Sequence, residues 1–175
     1  MSQATLKESL TKTIEHLTAN PAEANVLFRA NTKLEENVRC SATVRDFPPM
    51  YIDEPPTLGG KDSSYSPVEI VLVALGSCQE IMYSAYASVM GIELKTVEVD
   101  VKGYLDLQGL FGMGDNIPPG FKNIKFETRL ESDASDEEIA GLIKTVESHC
   151  PVLDILLTKQ DVTGSVSLNG KELSH

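Results

Sequence analysis

The chain has 175 residues, 41% hydrophobic and 23% charged, an ordinary globular mix with room for one domain and a real core. Its formal net charge of −11 and isoelectric point near 4.7 argue against nucleic acid and anionic membranes as partners, because both would repel it. Three cysteines do not make a disulfide framework in a chain of this size, so free thiols or a transient catalytic disulfide are expected.

The opening MSQATLKESLTKTIEHLTAN has no apolar core of the kind a signal peptide needs, and the expected location is cytoplasmic. Leu6, Leu10, Ile14 and Leu17 form one narrow apolar stripe, which predicts a surface helix over roughly 3–19 that Asn20-Pro21 ends. Residues 1–20 are therefore set apart as an N-terminal helix, and 21–175 as a single domain. Residues 24–34 and 37–46 read as two strands around a turn at Glu35-Glu36-Asn37. A short third strand, Met50-Tyr51-Ile52, runs into a loop rich in Pro, Gly and Ser from Asp53 to Ser66.

Ser66-Pro67-Val68-Glu69 opens a helix, with Ser66 as N-cap, Pro67 in the first helical position and Glu69 completing a capping box. The helix should run to about Met90, where Gly91 stops it, and be roughly 35 Å long. Its first half, IVLVALGSC, is apolar all round, more than a small monomer can cover, which points to a dimer. The longest uninterrupted apolar run, from Ile70 to Leu75, is too short to span a bilayer. Residues 95–107 and 122–131 alternate apolar and polar as half-buried strands. The loop between them, 108–120, carries Leu110, Phe111 and Met113; a lid and a dimer contact are both open readings. Ser135-Asp136-Glu137-Glu138 starts another capped helix, Pro151 starts a short one with Cys150 at its N-cap, and Val162, Val166 and Leu168 mark a last strand. The order is α, β, β, β, α, β, β, α, short α, β, an α+β chain with antiparallel sheet.

Cys78 and Cys150 are the candidate reactive groups. A cysteine reacts as its thiolate, so local pKa decides. Cys150, at a helix start, has a local reason for a lowered pKa. Cys78 lies about three turns into its helix, beyond the terminal dipole, and needs a cation from elsewhere; Arg29, Arg39 and Arg45 of the N-terminal strands are the candidates. Inert core packing is the competing reading for both thiols. Cys40 reads as a small hydrophobe in a strand. His149 adjoins Cys150, but neighbouring helical residues do not face each other, so a Cys–His protease pair is not expected. No metal-ligand spacing, P-loop or dinucleotide fingerprint is present, and no cofactor is expected.

The run Asp53-Glu54-Pro55-Pro56-Thr57-Leu58-Gly59-Gly60-Lys61-Asp62, then Ser66-Pro67-Val68-Glu69, Ala74-Leu75-Gly76-Ser77-Cys78 and Cys150-Pro151-Val152, resembles the OsmC/Ohr family along roughly residues 24–169. The resemblance implies antiparallel sheets wrapped around two long central helices in an intertwined homodimer. It implies reduction of organic hydroperoxides, with Cys78 as the peroxidatic residue, Cys150 as the resolving one, and a thiol or lipoyl-type dithiol as reductant. The family's catalytic Arg matches Arg39 best, with Arg45 as second choice. Its catalytic Glu directly follows the helix-opening Pro, where this chain has Val68. Glu69 comes one residue later, about 100° further round the helix, so it is either the displaced catalytic acid or only a cap. Two functions stay open: a thiol-dependent peroxidase, and a non-peroxidase OsmC-like protein binding a small apolar or thiol ligand at the dimer interface.

Overall fold

The computed structural model describes residues 3–173. The chain starts with α1 (Gln3–Ala19) and a 3-10 turn (Pro21–Ala24), then β1 (Asn31–Glu36), β2 (Arg39–Thr43) and β3 (Met50–Ile52). After a second 3-10 turn (Pro56–Leu58) come α2 (Pro67–Met90), β4 (Leu94–Leu105), α3 (Leu107–Leu110) and β5 (Phe121–Ser132). It closes with α4 (Asp136–His149), α5 (Pro151–Leu157), β6 (Val166–Leu168) and β7 (Lys171–Leu173). The fold is α+β with antiparallel sheets, in three pieces: β1-β2-β3, the long hairpin β4-β5, and the small hairpin β6-β7.

The two long helices form where local chemistry demands. At α2, Ser66 Oγ accepts from the Glu69 amide while the Glu69 carboxylate accepts from the Ser66 amide at 2.7 Å, and Gly91 closes the helix at φ +78°. Ser135 and Glu138 repeat the reciprocal cap at α4. Leu75, Gln79, Tyr83 and Ala87, four apart, form one buried stripe on α2. Tyr83 and Ala87 pack with Ile92 on Leu142 and Val146 of α4, and Val97 of β4 and Leu130 of β5 close the cluster from the sheet side. Length and hydropathy alone would let α2 cross a membrane; in this fold its stripe is spent on protein.

Strand limits differ from those expected. The first strand begins at Asn31, not at residue 24, because register pairing with β2 stops at Asn31–Thr43, and residues 25–30 have no neighbouring strand. The turn is centred on Asn37, at φ +49°, a conformation asparagine tolerates well. Beyond Thr43, Arg45 turns at φ +52° and ends β2. The expected last strand is a hairpin: Asn169-Gly170, both at positive φ, make the tight turn that adds β7. The expected 108–120 loop is partly helical: its first residues, 108–110, belong to α3, capped by Asp106.

The loop after β3 is organised around Asp53, which is only 1% exposed. Its carboxylate accepts from the amides of Glu54 (2.9 Å), Lys61 (3.2 Å) and Ser63 (3.1 Å) and from the Ser63 hydroxyl (2.7 Å). Gly60 passes so close to the Glu54 carbonyl that a β-carbon there would lie 1.7 Å from its oxygen. Lys61 also bridges to Glu36 of β1, tying loop to sheet. The Ser63 hydroxyl, followed by backbone donors, holds the Asp53 carboxyl at a pKa of about 2 against an ordinary 3.8. The folded-state pKa is depressed, so this stabilisation is fully present above pH 3.8 and is lost as pH falls through about 2. Amide exchange across residues 53–63 should accelerate between those two values, and in Asp53→Asn it should already be fast at neutral pH. Exchange that stays slow in the variant would remove the carboxylate from this role.

Candidate functional site

Cys78 and Cys150, 72 residues apart in sequence, meet with their Sγ atoms 3.2 Å apart. Cys78 is half-buried and Cys150 is 1% exposed. Two packing rules bring them together. Cys150 continues the Leu142–Val146 stripe of α4 by one turn, and Cys78 precedes Tyr83 of α2 by little more than one turn. A disulfide needs about 2.05 Å, so roughly 1 Å of closure joins the sulfurs.

Cys150 ends α4 and heads α5; its side chain makes no capping hydrogen bond, and the nearby amides of Val152 and Leu153 only favour the thiolate electrostatically. The sequence argument for an acidic Cys150 thiol nevertheless fails. Burial is the largest influence and pushes the thiol pKa up, with the neighbouring Cys78 acting in the same direction. Desolvation can move a buried group by several units, whereas a short helix terminus contributes less. Cys150 therefore rests as a neutral thiol.

The other sequence candidates fall elsewhere. The guanidinium of Arg39 stacks on the Tyr51 ring at 4.0 Å and that of Arg45 on Phe47 at 4.6 Å; neither is recorded on Cys78. Arg29 is exposed. Glu69 is spent on Ser66, whose backbone and side-chain hydrogen bonds hold its carboxyl below the usual range. Glu54 nearby is raised, by burial first and then by the charges of Glu69 and Asp53. Cys40 sits in β2 between Leu34 and Ile52, away from the thiol pair. His149 directs Nδ1 at the Thr145 carbonyl, 2.8 Å away, back along its own helix. Among the described residues no group of three or more His, Cys, Asp or Glu could hold a metal ion.

Two features beside the thiols were not singled out from sequence. An apolar groove of about 440 Å³ runs between α2, β5 and α5, lined by Leu75, Phe121, Ile124, Phe126, Leu153 and Leu156. It starts one turn from each cysteine, at Leu75 and Leu153. The second is Gln79, fully buried with neither end of its carboxamide bonded. Its sequence signal was a lone amide in the stripe of Leu75, Tyr83 and Ala87.

The OsmC-like protein family model matches residues 60–165. No match was found among curated proteins. Among solved structures, the OsmC-like protein of Mycoplasma pneumoniae aligns with TM-score 0.65 at 20% identity, covering 76% of this chain and 89% of that one. An organic hydroperoxide resistance protein from Legionella pneumophila aligns with TM-score 0.54 at 17% identity over 75% and 89% of the two chains. An OsmC-like hydroperoxide resistance protein from Jannaschia aligns with TM-score 0.52 at 15% identity over 83% and 95%. At these identities the solved structures speak for the fold, while the family match spans more than half of the sequence and includes both meeting cysteines: the chain belongs to the OsmC family.

Proposed function

We propose that the chain is a thiol-dependent peroxidase that reduces organic hydroperoxides through a Cys78/Cys150 dithiol–disulfide cycle. The observation that carries this reading is the 3.2 Å contact between two thiols so distant in sequence. Cys78 is the attacking residue, because it is the more accessible of the two and Cys150 is held neutral by burial. Its thiolate attacks the hydroperoxide oxygen, the O–O bond breaks, and the alkoxide leaves and takes up a proton as the alcohol. Cys78 is then a sulfenic acid. Cys150 attacks that sulfur, the S–O bond breaks, water leaves with the Cys150 proton, and a disulfide remains. An external thiol or lipoyl-type dithiol returns the pair to the reduced state. The apolar groove beside the thiols receives the carbon skeleton of the substrate.

The working form is an intertwined homodimer with the two α2 helices at its centre. Supporting it, the β1–β3 sheet has no extensive packing on another described element, and Leu27 and Phe28 before it are 90% and 89% exposed. Val73 and Ile81 on the outer face of α2 are also open, at 56% and 65%. A sheet donated across such a dimer is the route by which Arg39, or failing it Arg45, reaches the Cys78 thiol. A second reading has its own observation: Val68 stands where the family's acid is placed, and Glu69 is committed to its cap. On that reading the protein binds a small apolar or thiol ligand at the dimer interface and does not turn over peroxide.

One equivalent of cumene hydroperoxide under anaerobic conditions should remove two thiols per chain, and peptide mapping should find a Cys78–Cys150 bridge within one chain with Cys40 reduced. Oxidation no faster than that of free cysteine would leave the binding reading. Arg39→Ala should slow Cys78 oxidation by roughly one to three orders of magnitude, the span of a 1–3 unit pKa effect, and Arg39→Lys should restore part of it. Parent-like rates in both Arg39→Ala and Arg45→Ala would end the arginine assignment. Light scattering at micromolar concentration should give twice the 19.0 kDa chain mass; a monodisperse monomer would refute the dimer.

A further inference from the structure

Gln79 directly follows Cys78, and its side chain lies in the interior on the stripe of Leu75, Tyr83 and Ala87. That stripe faces Leu142 and Val146, and Cys150 is the next residue along the facing stripe. Gln79 and Cys150 are thus successive members of two opposed rows, both essentially without solvent contact. Neither Oε1 nor Nε2 of Gln79 has a hydrogen-bond partner among the described residues. Burying an unpaired amide costs free energy that an apolar side chain of similar size would avoid. A second copy of the chain cannot supply the missing partner, because the amide is already enclosed within one protomer. The group that changes hydrogen-bonding character next to it is the thiol pair.

We infer that the Gln79 carboxamide, unpaired while Cys150 donates to Cys78, serves Cys150 during the resolving step by turning to donate from Nε2 to the thiolate as it forms. A carboxamide is a neutral side chain whose Nε2 carries two donors and can reorient by rotation about its last torsion. Beside the weak pull of the Val152 and Leu153 amides, it gives the emerging thiolate a side-chain donor in a site that otherwise opposes charge. The titratable groups on the elements around Cys150 leave this role open. Cys78 of α2 bears on it directly; Glu147 of α4 bears on Tyr83; His149 is bound to Thr145; Asp154 of α5 is exposed.

The inference deepens the dithiol cycle proposed above, and its test needs no hydroperoxide. Dithiobis(nitrobenzoate) first captures Cys78 as a mixed disulfide and releases one coloured thiolate. Cys150 then attacks the Cys78 sulfur, that mixed disulfide breaks, and a second coloured thiolate leaves as the Cys150 proton passes to solvent. Gln79→Met should leave the first phase unchanged and slow the second by roughly ten- to a hundredfold, the range of a hydrogen bond to a charged group. The pH midpoint of the second phase should rise, and thermal stability should stay level or increase as the unpaired amide disappears. A lowered melting temperature with an unchanged second phase would overturn the inference and mark Gln79 as a structural residue. Should Gln79→Met not fold, the parent protein decides: the side-chain amide resonance of Gln79 must titrate with the midpoint of the second phase, and a resonance that ignores it is equally fatal. A parent that shows this Gln79 dependence yet ignores hydroperoxides would refute only the peroxidase reading.

Discussion

The separation of two sulfurs depends on the phase of one helix against another. Tyr83 and Ala87 of α2 lie on Leu142 and Val146 of α4; one turn further the rows carry Gln79 and Cys150, and Cys78, just before Gln79, meets Cys150 from beside its row. Each large side chain in that contact contributes about 1.5–3 kcal/mol of burial, so the phase is held by packing and the thiols inherit it. A slip of one residue would turn either row by about 100° and part the sulfurs. Both helices are protected from such slips at their starts, where Ser66 with Glu69 and Ser135 with Glu138 fix the first turn.

The same packing gives the two thiols different surroundings, Cys78 half-buried and Cys150 buried. Cys150 stands at a helix start near the amides of Val152 and Leu153, an arrangement that taken alone would favour the thiolate. A terminal dipole is worth about 0.3–1 kcal/mol in ordinary settings, while full burial can shift a pKa by 3–5 units, at 1.36 kcal/mol each. Burial wins, and the thiol is held protonated. In the dithiol cycle proposed above, a resolving thiol would gain from that state: it would not compete for the oxidant, and would become a nucleophile only when an electrophilic sulfur lies beside it.

Much of this fold was legible because it is written locally. The limits of α2 follow from Ser66, Pro67 and Gly91, and those of α4 and α5 from Ser135 and Pro151. The alternation in β4 and β5 comes from one face meeting α2 and the other meeting solvent. Residues 25–30 were misread as strand because Val26, Leu27 and Phe28 carry strand-like composition, yet in one chain they find no neighbour. The Asn169-Gly170 turn was visible in sequence and overlooked. The contact between Cys78 and Cys150 was available only through family resemblance, since no periodicity links residues so far apart. The raised pKa of Cys150 was not legible, because desolvation depends on what α2 lays over it. The role of Asp53 was hidden similarly, since its partners Lys61 and Ser63 are set by a loop path that composition does not dictate.

What one chain leaves uncovered is as informative as what it buries. Scattered exposed apolar residues are normal on a monomer, but contiguous apolar surface marks an interface. Here open apolar residues lie on the segment before β1, the β1–β3 sheet and the outer side of α2, and also on residues 107–113, α5 and the β6–β7 hairpin. A free sheet edge and an unpartnered helix face in the same chain suit a twofold arrangement, in which each copy supplies the surface the other lacks. Such an arrangement also bears on reactivity. In the single chain the guanidinium groups of Arg39 and Arg45 lie on aromatic rings. If, as proposed above, a donated sheet brings a cation to Cys78, assembly and activation are linked by mass action.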